Sequence, residues 1–296
     1  MHSVTFLFTR LLRGATFAFF LLLPETAMAI EGVMGSTQDQ SSYSNVDQFA
    51  PLHISFNFSV NFEHSSTAGT TTQTFTVLQA NVTTVYLDVW DGLEVSAAEF
   101  MTLEAEGYAN FMEVPFEITT PNPNIGNALA VTIPVEMPTD TKFFLRFTYR
   151  TNANTTAMSW MTPEQTAGKK LPFMYSLCQL NYCRDLAPMM DTPSQKITYD
   201  ATVTAPSELV VRMSANETGS MALNDTHMVT TFACDIKVPS YLIAIVVGDL
   251  EMRSLSSRVN VMSEPALLDA AAEEFSELPD ALDFMEEASG WCEPFR

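Results

Sequence analysis

Basic residues are scarce in this chain of 296 residues: 14 Lys and Arg stand against 35 Asp and Glu, a formal net charge of −21. The acidic residues are spread along the chain and do not gather in one tail. Such a surface repels a phosphate backbone, which argues against nucleic acid as a partner. Histidine is scarcer still, with His2, His53, His64 and His227 the full set. No two of them are close enough in sequence to share a helical face, and a hydrolytic zinc needs three protein ligands around an open position. No metal site is therefore assigned to this chain. The sequence also lacks a G-x-S-x-G elbow, a G-x-G-x-x-G turn and a Walker loop, so neither nucleophilic serine chemistry nor nucleotide binding has support. The acidic pairs Glu273-Glu274 and Glu286-Glu287 fall in helical stretches and read as solvated faces.

Cysteine is limited to Cys178, Cys183, Cys234 and Cys292, which permit three disulfide pairings among which sequence does not choose. Cys178-x4-Cys183 has no second Cys/His pair to complete a zinc site and reads as structural. Long apolar runs are missing outside the first 29 residues. There, Arg10 and Arg13 precede the apolar run Ala15 to Leu23, and Ala27-Met28-Ala29 has the small-x-small pattern of a cleavage site. Residues 1–29 thus read as a secretory signal that leaves Ile30 as the new terminus, and no other membrane contact is expected. Five N-x-S/T sequons, at Asn57, Asn81, Asn154, Asn216 and Asn224, fit an exported, glycosylated, extracellular protein.

What is plentiful is two-residue alternation. Leu52, Ile54, Phe56, Phe58, Val60 and Phe62 alternate with polar residues, the period of a strand with one face buried. The pattern repeats at Val85 to Val89 before the Asp91-Gly92 turn, at Leu129 to Val135 and at Phe143 to Tyr149, with further strands expected at Ile197 to Thr204, Leu209 to Met213 and Met228 to Ala233. The continuously apolar Tyr241 to Val247 suits a strand covered on both faces. Residues 30–46, rich in Ser, Gln and Asp, read as a flexible arm. Residues 47–252 then read as an all-β, antiparallel, sandwich-like domain. Beyond it, Ser263 with Pro265 opens a helical stretch at Ala266 to Phe275, and Pro279 opens a second that ends at Gly290.

Residues 157–206 carry a family resemblance. Trp160-Met161-Thr162-Pro163-Glu164-Gln165-Thr166, Cys178-Gln179, Cys183-Arg184, Pro188 and Asp191-Thr192-Pro193-Ser194 with Lys196 resemble the N-terminal domain of gluzincin aminopeptidases of the leukotriene hydrolase and aminopeptidase B branch. Pro239-x-Tyr241-Leu242-Ile243-Ala244-x-Val246-Val247-Gly248 is a second match. The resemblance implies a saddle-shaped β-domain facing the substrate of a zinc enzyme that removes N-terminal amino acids from peptides. In that family a G-x-M-E-N loop, an H-E-x-x-H helix and a downstream Glu supply the zinc site, with a Glu as base and a Tyr at the oxyanion; none of these motifs occurs here. Residues 253–296 are accordingly expected to be the start of a catalytic domain, zinc to belong to the complete enzyme only, and the chain alone to be inactive.

Gln179 is the one residue to which the resemblance gives a site role: the matching residue projects into the catalytic cleft and helps to hold the free α-amino group of the substrate. A neutral amide suits this, because its carbonyl oxygen accepts from ammonium without adding a charge. Leu177 stands where relatives often have a second Gln. The resemblance extends to Cys at both 178 and 183 in cytosolic relatives, so it does not argue for an oxidised bridge. Peptide N-termini are the expected partners of the completed enzyme. The alternative is a secreted, glycosylated binding module without catalysis, which would leave Phe275, Leu278, Leu282, Phe284, Met285 and Trp291 poorly covered.

Overall fold

The computed structural model describes residues 39–103, 105 and 107–289, together with the backbone of a strand at Val4–Leu7. Residues 8–29 of the expected leader, the first part of the expected arm, and Cys292 lie outside the described residues. The chain divides into two compact units, one of residues 34–250 and one of residues 251–296 with 1–33.

The larger unit is built on an eight-stranded sheet. Its strands, numbered along the chain, are β1 (Phe49–Asn61), β2 (Ser66–Val77), β3 (Leu93–Met101), β4 (Met112–Glu113), β5 (Lys142–Thr151), β6 (Lys196–Pro206), β7 (Asn216–Ala222) and β8 (His227–Pro239). Their spatial order is β7-β8-β6-β1-β2-β5-β3-β4, antiparallel throughout except for the parallel β6–β1 pair. The alternation read from the sequence sets the faces. Ile54, Phe56, Phe58 and Val60 of β1 are buried, as are Phe143, Leu145, Phe147 and Tyr149 of β5, while Asn57 and Ser59 point to solvent. Phe143 lies at a cluster of rings, with centroids 5.3 Å from Phe75, 5.5 Å from Phe49 and 5.9 Å from Phe100. Each such side chain contributes roughly 1.5–3 kcal/mol through burial.

The inner face shares one core with two smaller antiparallel sheets. One has strands 84–89, 127–132 and 116–119 in that order, and the other has 158–161, 173–176, 245–248 and 210–213. The all-β architecture is therefore as expected. The run 241–247 is different: residues 240–242 form a 3-10 turn after Pro239, and only 245–248 is a fully buried strand. β2 gave no apolar alternation because its inward positions include Thr71 and Gln73, both fully buried. Gln73 Nε2 donates to the Pro188 carbonyl at 2.5 Å. Gly69 is required where β2 meets β1, since a Cβ there would lie 2.0 Å from the Asn57 carbonyl oxygen.

The expected flexible arm is corrected by residues 42–46, all of which are buried. A polar segment is fixed when a buried acceptor satisfies its donors; Asp88 accepts from residues 42–44, and Val46 packs into the core.

In the smaller unit, strands 251–254 and 259–263 pair antiparallel and Val4–Leu7 runs parallel to the second. After a turn at Pro265–Leu267 come α1 (Leu268–Glu274) and α2 (Leu278–Ser289). Pro265 opens the turn and Pro279 is the second residue of α2, positions that fit a helix start, where the missing N–H is not needed. Arg258 pairs with Glu286 of α2. α2 has no buried residue, and Phe284 and Met285 are 69% and 67% exposed. Trp291 lies outside the described residues.

Candidate functional site: the Gln179 loop

The strand Phe173–Ser176 delivers the chain to a short loop whose N-terminal end is pinned by the Leu177 N–H donating to the Ala157 carbonyl at 2.8 Å. Cys178 is bonded to Cys183, and the Tyr182 N–H donates to the Cys178 carbonyl at 2.8 Å, so the intervening residues form a closed loop. Of the three pairings open to the sequence, the structure contains this one; Cys234 is free. Both bridged sulfurs are buried, whereas Gln179 is exposed and Leu177 and Leu180 are 55% and 75% exposed. The Gln179 amide makes no hydrogen bond among the described residues. Tyr182 closes the loop against Trp90, with ring centroids 5.9 Å apart.

The far end of the loop is anchored by charge. Cys183–Asp185 is a 3-10 turn whose three residues are all buried. The fully buried Arg184 donates through Nε to Asp191 Oδ2 at 3.1 Å, through Nη2 to the Asp191 carbonyl at 2.9 Å and through Nη1 to the Ile125 carbonyl at 2.5 Å. Its Nη1 is also 3.7 Å from Asp88 Oδ1. Asp88 is further satisfied by the Ser42 and Ser44 hydroxyls and the Tyr43 N–H, each at 2.7 Å, and by the Asp191 N–H at 3.0 Å. Ser240 Oγ donates to Asp191 Oδ1 at 2.5 Å. Asp191 is therefore structural: it holds Arg184 and Ser240. Burial pushes its pKa up, opposed by the Arg184 charge. Asp185 is likewise raised by burial, although it accepts from the Thr156 N–H at 2.5 Å and the Thr156 hydroxyl at 2.9 Å. Two buried carboxylates against one guanidinium would be untenable without these neutral donors.

The Thr162-to-Thr166 motif is also structural. Gln165 Oε1 accepts from the Thr162 N–H at 2.8 Å, and the preceding Trp160 packs edge-on against Phe62 at 5.4 Å. His53 is half-buried and held between Thr198 Oγ1 and Asp200 Oδ2, both at 2.7 Å. The five sequon asparagines Asn57, Asn81, Asn154, Asn216 and Asn224 are all exposed. Among the described residues, no group of three His, Cys, Asp or Glu side chains is placed to hold a metal ion. The Asp88 clamp on residues 42–44 had no local signal in the sequence.

The geometry leaves the neutral amide of Gln179 exposed on a braced loop, suited to contacting a ligand and unsuited to reacting with one. Comparison with known proteins places the domain that carries this loop in a family. The Peptidase M1 N-terminal domain matches residues 50–242. Leukotriene A-4 hydrolase of Xenopus laevis is 30% identical over 254 residues, covering 85% of this chain and 40% of its own length. Aminopeptidase B of Rattus norvegicus is 37% identical over 191 residues, covering 64% of this chain and 28% of its own length. The solved structure of leukotriene A4 hydrolase from Saccharomyces cerevisiae superposes with a TM-score of 0.72 at 27% identity, over 90% of this chain and 40% of that one. The chain thus spans at most 40% of the length of these relatives.

Proposed function

The chain belongs to the M1 peptidase family through its N-terminal domain, and on that premise we propose that it is the substrate-facing domain of a secreted zinc aminopeptidase that removes N-terminal amino acids from peptides. The observation that carries the reading is the free amide of Gln179, held out on a loop that is closed by a disulfide and anchored by Arg184. Its Oε1 would accept a hydrogen bond from the substrate ammonium, fixing the end of the peptide while adding no charge for a low-dielectric cleft to desolvate. Residues of this chain bind and orient; none is assigned a proton-transfer step.

Zinc does not fit the described residues, because no three ligands converge and the sequence has no H-E-x-x-H. The zinc, its base and its oxyanion donor are therefore assigned to a catalytic domain acting with this one. Export is supported by the leader pattern of residues 1–29 and by the exposure of all five sequon asparagines.

The test compares residues 30–296 alone with the same residues joined to an M1 catalytic domain, both made in a eukaryotic secretory host. The joined protein is expected to hydrolyse aminoacyl aryl amides in a chelator-sensitive way, and the shorter one to do neither that nor hold stoichiometric zinc. One tightly bound zinc and chelator-sensitive hydrolysis in residues 30–296 would contradict the assignment.

A further inference from the structure

β7 is the outermost strand at one end of the eight-stranded sheet, and all seven of its residues are exposed. An outermost strand offers unpaired N–H and C=O groups to any other strand, and folded proteins blunt such edges with short length, Pro, Lys, bulges or a cover. At the opposite end of this sheet, β4 is only two residues long. The outer strands of the four-stranded sheet, 158–161 and 210–213, have four residues each. Strand 84–89 is largely buried and bridged by Met189. β7 contains neither Pro nor Lys, and Met221 and Leu223 at its end are 67% and 59% exposed. Its own protections are a register shift between Glu217 and Gly219 and the Glu217 carboxylate, which already pairs with Arg212 at 3.0 Å.

Two of the five sequons frame this strand. Asn216 is its first residue, and Asn224 lies in the turn that joins it to β8. At about 3.3 Å per residue the strand is roughly 20 Å long, so a bulky, hydrated chain at each end would overhang the edge between them. Asn224 is set for this: its Oδ1 accepts from the Thr226 N–H, the Thr226 hydroxyl and the His227 N–H, each at 2.9 Å, which directs Nδ2, the atom that a glycan joins, away from the turn. Asn57, by contrast, lies in mid-sheet, opposite Thr70 and Thr202.

We propose that N-linked glycans on Asn216 and Asn224 guard β7 against antiparallel pairing with β7 of a second copy of this chain. Such a pairing is isologous, because each strand offers the other the same edge. The proposal rests on the reading of the chain as glycosylated and is independent of the Gln179 role.

The test uses the full chain secreted by a eukaryotic host, with site occupancy from glycopeptide mass spectrometry and molar mass from light scattering. Wild type, and a variant lacking the other three sequons (Asn57→Gln, Asn81→Gln, Asn154→Gln), are expected to be monomeric. Asn216→Gln with Asn224→Gln is expected to dimerise or associate further, and adding Ser220→Lys should restore the monomer by charging the edge. Because Asn224 also holds the turn, wild type trimmed with an endoglycosidase is measured alongside and should associate in the same way. Occupied sites in wild type, with both the double variant and the trimmed protein still monomeric, would overturn the proposal. So would association that Ser220→Lys does not reverse. Bare Asn216 and Asn224 in the secreted wild type would overturn it together with the glycosylation reading.

Discussion

Arg184 stands between Asp88 and Asp191, and the three side chains are essentially excluded from solvent. Removing the guanidinium would leave two carboxylates facing each other in a low-dielectric interior. Arg184→Ala is therefore expected to cost about 3–5 kcal/mol of stability in urea denaturation; a cost near zero would show that the network is dispensable. The pH dependence has a definite sign. Asp191 has a folded-state pKa raised above its unfolded value, so its contribution favours folding at acid pH and is lost as pH rises through the folded value. The deficit of Arg184→Ala should accordingly shrink on acidification, as protonation relieves the repulsion that the arginine normally offsets. A neighbouring case is steric. A Cβ on Gly92 would lie 2.5 Å from Thr155 Cα and 2.6 Å from Asp185 Oδ1, so Gly92→Ala should lower stability by about 1–3 kcal/mol, read from the shift in denaturation midpoint. The Asp91-Gly92 turn was legible as a dipeptide. Asp88 was not, because its partners come from residues 42–44, 184 and 191, and no local pattern connects segments so far apart.

Among the elements, the neighbouring strands β3 and β5 show how a cross-strand ion pair is tied to pH. Glu99 and Arg146 sit directly opposite each other and join in two bonds of 2.7 and 2.6 Å, with Arg146 lying 4.1 Å over the Phe111 ring. The Arg146 hydrogen bonds hold the Glu99 carboxyl below the usual range. A depressed carboxylate stabilises the fold above its unfolded pKa and loses that effect as pH falls through the folded value. Glu99→Gln should therefore lower the Tm near neutral pH, by an amount that shrinks as pH falls through the folded value; an equal loss at neutral and acid pH would mean that packing, and not charge, is what the substitution removes. Strands with one apolar face, such as β1 and β5, could be read directly from alternation. β2 could not, since hydroxyl residues occupy both of its faces, and β7 could not, since it buries no face at all. The ordered segment 42–46 was missed for the same kind of reason: hydrogen bonds from residues 42–44 to Asp88 and the burial of Val46 fix it, and composition alone suggested mobility.

At the scale of the whole molecule, the larger unit is a self-contained β-structure with its own core, which presents the uncommitted amide of Gln179 on a loop closed by a disulfide and anchored by Arg184. That arrangement suits recognition of a peptide terminus in company with a catalytic domain, and Gln179 is where it can be tested most directly. In a protein joining this chain to an M1 catalytic domain, kcat/KM is measured for peptides with a free N-terminus. Gln179→Ala should leave zinc content and folding unchanged while lowering kcat/KM roughly 10- to 150-fold, the effect of losing one hydrogen bond to a charged group at about 1.5–3 kcal/mol. Gln179→Glu, whose carboxylate can accept the same bond, should lose less. Wild-type kinetics in Gln179→Ala would contradict the substrate-facing role and reduce Gln179 to a surface loop residue.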